Sequence, residues 1–507
     1  MYSIDYEILN YDSYNERLNK ILNNPNNKHR VIKDENLGYT SCGFPIEHYK
    51  IGNGPIHITY MSGAHGNEII GVDFVTQLMK NLALGNGDFE SFDSEKFTID
   101  FIPCQNPEGF YTTTYALSQI IEGMDDEKIE KFSKEYWQLY RNDDINVNKV
   151  NKVLYSVFDV LNLPIQKIDL NRQFWKENAK NPIDAGTIIN FYTKNYNISK
   201  KNIISIVDEN WKLNFVDTIS FNNKREHTEV FKDVDLKKFP ETTEAHVKLK
   251  NKLLKMYENN KFPMGTLANF FANSDGINLN DNNPYFYKII SERIENEKEV
   301  YGNIRDNHII RSIPGPLGLP NYDMNKDFEY SLENVAIMKY IEKQYSLCEN
   351  FAFFNCHGTG GMLYTYPYSD DEELSKENGR DFNFYINSRI ATDYTKQIGN
   401  IYEKFTGKND QYKVMGYPHE ITGFGDVLRK NYTASFLLEL SKMGGNPIAC
   451  YGDRKGNYEL TMVSNFSAMM KTLQTILQLK HLYDLSYKIT YNDEGYAQYE
   501  IVKKIYK

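Results

Sequence analysis

The stretch MSGAHGNEIIG, residues 61–71, sets a histidine three positions before a glutamate, directly after an alternating apolar run. An imidazole and a carboxylate at that spacing on a tight turn can reach one ion. Zinc in hydrolytic sites commonly takes two histidine nitrogens, one carboxylate and an exchangeable water. His65 and Glu68 therefore lack one partner, which must come from elsewhere in the chain. FAFFNCHGTGG offers His357 at the end of a buried-looking strand, followed by small residues that leave room for a substrate. Strand alternation sends Cys356 to the opposite face, into the core. Metal-assisted hydrolysis also needs a base that takes the proton of water and hands it to the leaving amine. In SFLLELSK, Glu439 interrupts an otherwise apolar strand near its end, where a carboxylate is costly unless it faces a polar site. Taken singly, each has a strong bland reading: a chance polar turn, a lone histidine after a strand and a solvent-facing strand end. Their coincidence at strand ends is what points to a site.

Such a site needs strands that end on one edge. PIHITYM alternates Ile56, Ile58 and Tyr60, a strand period. Beyond the turn, Ile70, Phe74, Val75, Leu78, Met79 and Leu82 recur at three- and four-residue spacing, which predicts a helix. KFTIDFIPCQNPEGF reads as a second alternating strand ending in an Asn-Pro-Glu-Gly turn. The order strand, turn, helix, strand predicts an α/β sheet with its polar loops at the strand ends. A helix is expected within 12–24, two short strands in GYTSCGFPIEHYKIGNG, a helix at LENVAIMKYIEKQY and a C-terminal hairpin around the DEG of YKITYNDEGYAQYEIV. The span 113–265 differs: it is rich in Asn, Lys, Asp, Glu and Tyr, with amphipathic pieces such as DEKIEKFSKEYWQLYR and AHVKLKNKLLKMYENN. The expected organisation is a first part of the α/β domain at 1–112, a mostly helical insertion at 113–265, and the second part with the hairpin at 266–507. No internal repeat is found.

The 507 residues are 41% hydrophobic and 14% aromatic, ample for a sizeable core. A net charge of −10 without a Lys/Arg-rich block argues against nucleic acid as a partner. The acidic, polar N-terminal segment lacks the cationic and apolar regions of a secretory signal, and no apolar run approaches the ~18 residues that span a bilayer. Five scattered cysteines without CxxC spacing predict a reduced, cytoplasmic protein.

HGNE, NPEGF, HGTGGMLYTYPYS and FLLEL, in that order, resemble the zinc carboxypeptidases related to carboxypeptidase A. The similarity extends to LGYTSCGFPIEHYKIGNGP and to IPGPLGLP…SLENVAIMKYI, and covers 30–112 and 266–445. The resemblance implies a mixed, twisted, about eight-stranded sheet with helices on both faces. It also implies one zinc ion on His65, Glu68 and His357, with Glu439 as general base and acid. In that family a cation within an Asn-Arg-Leu-Trp-Arg-like stretch polarises the scissile carbonyl; LNRQFWKEN resembles it and offers Arg172 or Lys176. A Gly-Val-Asp-Leu-Asn-Arg-like motif that binds the substrate's terminal carboxylate has two counterparts. IDLNRQF has the closer identity, while DGINLNDNNP has the better position and makes the pair Asn280 and Asp281. An arginine fork grips a carboxylate; an aspartate repels it and draws an ammonium group. The Asn-Asp pair thus resembles the bacterial members that cleave γ-D-glutamyl–diamino-acid bonds in cell-wall peptides. The family's substrate-covering tyrosine corresponds to Tyr417 in VMGYPHEITGFGD, with His419 and Asp426 nearby.

The expectation is a zinc-dependent metallopeptidase acting on a peptide or peptidoglycan-type substrate. One alternative is an N-acyl amino-acid deacylase on the related fold, which shares the same His, Glu, His and Glu. Another is an inactive peptidase-like binding protein with the 113–265 segment as its partner surface. NPEGF and GINLND favour the peptidase, and Glu439 favours an enzyme.

Overall fold

The computed structural model describes residues 1–140, 147–178, 185–215, 234–260, 264–280, 282–284, 328–347, 349–366, 381–416, 434–442, 451, 454–483, 486–491 and 497–502. Alternating apolar runs build its centre. One mixed sheet holds eight strands, in the spatial order β1 (Val31–Lys33), β4 (Tyr49–Gly52), β6 (Phe97–Ile102), β5 (Ile56–Ser62), β7 (Glu349–Thr359), β10 (Ala434–Ser441), β8 (Met362–Tyr366) and β9 (Lys413–Gly416). The four central strands β6, β5, β7 and β10 run parallel, so their carboxyl ends share one edge. β4 flanks them antiparallel on one side and pairs antiparallel with β1, and β8 flanks them antiparallel on the other side. β2 (Gly38–Tyr39) pairs with β3 (Pro45–Ile46), and β11 (Ser486–Tyr491) with β12 (Ala497–Val502), the expected C-terminal hairpin.

The pleat sends neighbouring side chains to opposite faces, and each face has its own helices. Tyr60, Phe354 and Phe436 are register partners on β5, β7 and β10, and their rings stack at centroid distances of 4.8 Å. They belong to the main core with residues of α2 (Ile69–Leu84), α11 (Asp381–Thr406) and α12 (Glu459–Tyr483). On the other face Met61, Ile102 and Phe353 pack with Ala336, Ile337, Tyr340 and Ile341 of α10 (Leu332–Leu347). The observed architecture is therefore the expected mixed sheet covered on both sides. Helix α1 (Tyr11–Leu22) is tied to α2 through Arg17, which pairs with the fully buried Asp73, itself also bonded by the Tyr451 hydroxyl at 2.9 Å.

The span 113–265 divides between two cores. α3 (Pro107–Ile120) and α9 (Glu244–Asn260) place Ala116, Leu117, Leu249 and Leu253 in the main core. Helices α5 (Val147–Leu161), α6 (Lys167–Asn178), α7 (Ala185–Asn195) and α8 (Lys200–Phe215), which follow α4 (Asp126–Tyr140), enclose a second core. It includes Val150, Leu154, Phe174, Trp175, Tyr192 and Val207. Cys42, Cys104 and Cys356 are buried free thiols; Cys348 and Cys450 lie outside the described residues. No helix among the described residues is long and apolar enough to cross a membrane.

Candidate metal centre

β5 ends at Ser62, and the chain then turns through Gly63, whose φ of +69° lies in the left-handed region. The turn must pass close to the start of α3. A methyl group on Gly66 would lie 2.2 Å from the Gly109 carbonyl carbon, and one on Gly109 would lie 2.4 Å from Ala272 O. Only glycines permit this approach, which gives the glycines of HGNE and NPEGF a common purpose. Asn106 caps α3 by accepting the Gly109 N–H at 2.9 Å and ties the contact further by donating to Ala272 O at 2.9 Å.

Glu68 occupies the N-cap position of α2, yet its side chain makes no capping bond. It turns instead toward two imidazoles. Glu68 Oε1 lies 3.1 Å from His65 Nδ1, and Glu68 Oε2 lies 2.9 Å from His357 Nδ1. All three side chains are buried, and one ligand atom from each lies within 4.8 Å of the others. His357 stands near the carboxyl end of β7, and its neighbour Cys356 faces the main core, as strand alternation predicts. Glu439, half-buried on β10, is the register partner of His357 across the parallel pair. Side chains at such partnered positions leave the sheet on the same face. The sequence-predicted His65, Glu68, His357 and Glu439 thus come together at the carboxyl edge of the sheet.

The hydrogen bonds around His65 define its tautomer. Asn278 Oδ1 accepts the Asn280 backbone N–H at 3.0 Å, which fixes the amide's orientation. The same oxygen lies 3.2 Å from His65 Nε2, so that nitrogen carries the proton and Nδ1 is left with its lone pair. Nδ1 has no hydrogen-bond partner although it is buried and faces a carboxylate oxygen. Two acceptors facing each other in a dry site repel unless a cation lies between them. Two imidazoles and one carboxylate are the donor set that zinc takes, so these residues fit a zinc ion. Phe271 stacks on the His65 ring at 3.7 Å and further restricts it.

The electrostatics follow from burial and proximity. Burial pushes His65 down toward its neutral form, against the opposing pull of Glu68. Burial alone would raise Glu68, but the imidazoles of His65 and His357 outweigh it and hold the carboxyl well below its ordinary range. His357 is raised: burial disfavours its charge, but Glu68, and then Glu439, more than compensate.

The other expected residues are placed differently. Arg172 lies on α6, whose buried residues face the second core; its side chain is 54% exposed and its ion-pair partner is Asp169 at 3.8 Å. Lys176 is exposed on the same helix. Neither is brought together with the His–Glu–His group. Asn280 is buried, and its backbone N–H bonds the Asn278 amide that touches His65. Asp281 and Tyr417, like His419 and Asp426, lie outside the described residues. Asn278 and Phe271 were not singled out from sequence. The alternation of polar Asn278 and Asn280 with apolar Ile277 and Leu279 was the available signal.

The family model for zinc carboxypeptidases matches residues 20–227. That segment, less than half of the chain, is similar to the zinc carboxypeptidase family. The match supports a metallocarboxypeptidase-like hydrolase. The match contains His65 and Glu68 and continues through α8, while His357 and Glu439 lie beyond it. Solved structures similar to the chain include bovine thrombin-activatable fibrinolysis inhibitor in complex with tick carboxypeptidase inhibitor, at 10% identity over 93% of this chain and 98% of that one, with a TM-score of 0.44. Carboxypeptidase A from Helicoverpa armigera is 10% identical over 93% of this chain and 74% of that one, with a TM-score of 0.42. A metallo-carboxypeptidase from Burkholderia cenocepacia is 11% identical over 93% and 70%, with a TM-score of 0.35. A search of curated protein sequences gives no match.

Proposed function

We propose that the chain is a zinc-dependent peptidase that hydrolyses a peptide or cell-wall-peptide amide. His65, Glu68 and His357 would hold one zinc ion and Glu439 would act as general base and acid. The observation that carries this reading is the orphaned His65 Nδ1 facing Glu68 within the buried His–Glu–His group. Zinc bound there supplies Lewis acidity toward water and the scissile carbonyl. Glu439 projects from the same face as His357, where it accepts a proton from water and returns it to the leaving nitrogen. Asn278 holds His65 with Nδ1 free, and Phe271 keeps the ring from rotating.

For the substrate, contact of the GINLN segment with His65 supports assigning the specificity pair to Asn280 and Asp281 rather than to the stretch around Arg172. An aspartate at that position favours a substrate bearing an ammonium group, as in γ-D-glutamyl–diamino-acid peptides. Three buried free thiols favour a reducing compartment, in keeping with a cytoplasmic enzyme.

The test has two parts. Elemental analysis of the purified chain should give about one zinc per chain, lost in Glu68→Gln and His357→Ala. Cleavage of a mixed peptide and muropeptide library, read by mass spectrometry, should show cuts beside cationic amino acids. Cuts only beside free C-terminal carboxylates would remove the role proposed for Asp281, and a metal-free wild-type chain would remove the peptidase reading.

A further inference from the structure

Two buried carboxyl groups lie outside the metal cluster, in the first turns of α3 and α10. Glu108, the second residue of α3, accepts the Cys42 N–H at 2.8 Å and the Ser274 N–H at 3.2 Å, one on each oxygen. Glu333, in the first turn of α10, is 1% exposed, and both of its oxygens lie 3.3 Å from Asn273 Nδ2. Asn273 and Ser274 are adjacent, so the two carboxyls grip one turn from two helices. That turn begins the segment leading to Asn278. Asn273 Oδ1 accepts the N–H groups of Asp275 and Ile277, each at 3.0 Å, and the Asn273 N–H donates to Ile277 O at 3.0 Å.

Charge is unbalanced here. Among the described residues Glu333 has no ion pair, and the nearby Lys252 of α9 is engaged by Asp275 and by Ser41 Oγ. Among the described residues Lys252 is the cation near Glu108, but Asp275 offsets its charge, and two carboxylates gripping adjacent residues in a dry site repel each other. Glu108 is held by two backbone N–H donors, whereas Glu333 is held by one side-chain amide.

We propose that Glu333 is a positioning residue for the metal site, acting as a neutral carboxylic acid that holds Asn273 and, through residues 273–278, the Asn278 that orients His65. The inference rests on the metal-centre reading above. Burial, and then the Glu108 charge, push the Glu333 carboxyl up to about 8, and Asp275 adds to the effect. The Cys42 thiol facing the same pocket is pushed up to about 12 by burial and then by Glu108, and stays neutral.

The sign of the pH effect follows by linkage. When the segment opens and Glu333 meets water, its ordinary value of 4.5 returns. Between about 4.5 and 8 the open form releases a proton that the closed form keeps. Opening therefore becomes up to about tenfold more frequent per pH unit and levels off above that window.

Hydrogen exchange of residues 273–280 in the zinc-loaded protein, corrected for intrinsic rates, tests this between pH 5.5 and 7.5. Wild type should open up to roughly 100-fold more often across that range. Glu333→Gln, which stays neutral, should show no such slope, and zinc release to a chelator should follow the same pattern. Equal slopes in the two proteins overturn the proposal. A measurement on wild type alone guards against a misfolded variant. Infrared spectra should show a protonated carboxyl band at neutral pH that disappears on going to pH 9.5, and its absence also overturns the proposal. A chain that binds no zinc sinks the metal-centre reading, whereas a zinc-bound chain whose slope ignores residue 333 sinks only this one.

Discussion

Glu439 on β10 and His357 on β7 are cross-strand partners at the carboxyl end of a parallel pair, and both side chains leave the sheet on the same face. The pairing gives the carboxylate a fixed relation to the metal cluster without making it a member of that cluster. Glu439→Gln should therefore keep zinc while losing general base and acid function, a fall in kcat of about 10²–10⁴. Elemental analysis and turnover on the same preparation check this. A zinc-loaded Glu439→Gln variant with wild-type turnover would end the base assignment.

Asn278 acts on His65 through one amide oxygen that a backbone N–H holds in place. Asn278→Ala removes the acceptor that keeps the Nε2 proton in place, and zinc affinity should fall about 10–100-fold. Asn278→Asp keeps the acceptor and adds charge that makes the imidazole a better donor to zinc, so its affinity should equal or exceed wild type. Competition with a chelator at fixed pH ranks the three proteins. If the Ala variant binds zinc as tightly as wild type, the amide has no part in holding the site.

His65, Glu68, His357 and Glu439 were legible in the sequence because each sits where an alternating or apolar run meets a turn or a strand end. The strand period there fixes both place and face. The same period correctly sent Cys356 into the core. Asn278 and Glu333 were not legible in this way. Asn278 meets His65 across 213 residues and Glu333 meets Asn273 across 60, so no local pattern marks either contact. Composition and amphipathic pieces point to a mostly helical 113–265, but amphipathic spacing does not say which core a helix faces. Leu249 and Leu253 face the main one, and Val150 and Leu154 face another.

Arg172 provides a test of motif identity against position. DLNRQF is the closer match in letters, and residues 20–227 include it, yet the arginine is exposed on α6 and paired with Asp169. Removing a cation that stabilises the oxyanion costs about 10²–10³ in kcat. A solvent-exposed ion pair contributes about 1 kcal/mol or less to stability. Arg172→Ala should accordingly leave kcat/KM close to wild type and stability nearly unchanged. A loss of two orders of magnitude in kcat would return Arg172 to the catalytic machinery.

A second polar cluster should govern how stability depends on pH. Asp100 on β6 is fully buried and accepts from His48 Nε2 at 2.9 Å and from His57 Nδ1 at 2.7 Å, while His48 Nδ1 lies 3.3 Å from Asp34. Burial works against a charged His48, but the bonds to Asp100 and Asp34 outweigh it and raise the imidazole above its ordinary 6.5. Folding thus favours the protonated form. Its contribution is complete below pH 6.5, the unfolded value, and fades as pH rises through the raised folded value. Asp100 runs the other way. Burial raises it, but the two imidazoles hold it below 3.8, so its contribution is present above that value and is lost in acid. Denaturant unfolding of wild type and His48→Gln at about pH 6 and about pH 9 separates these effects. The stability lost on substitution should be largest at the lower pH and shrink at the higher one. An equal loss at both would show that His48 is held neutral and contributes by packing alone.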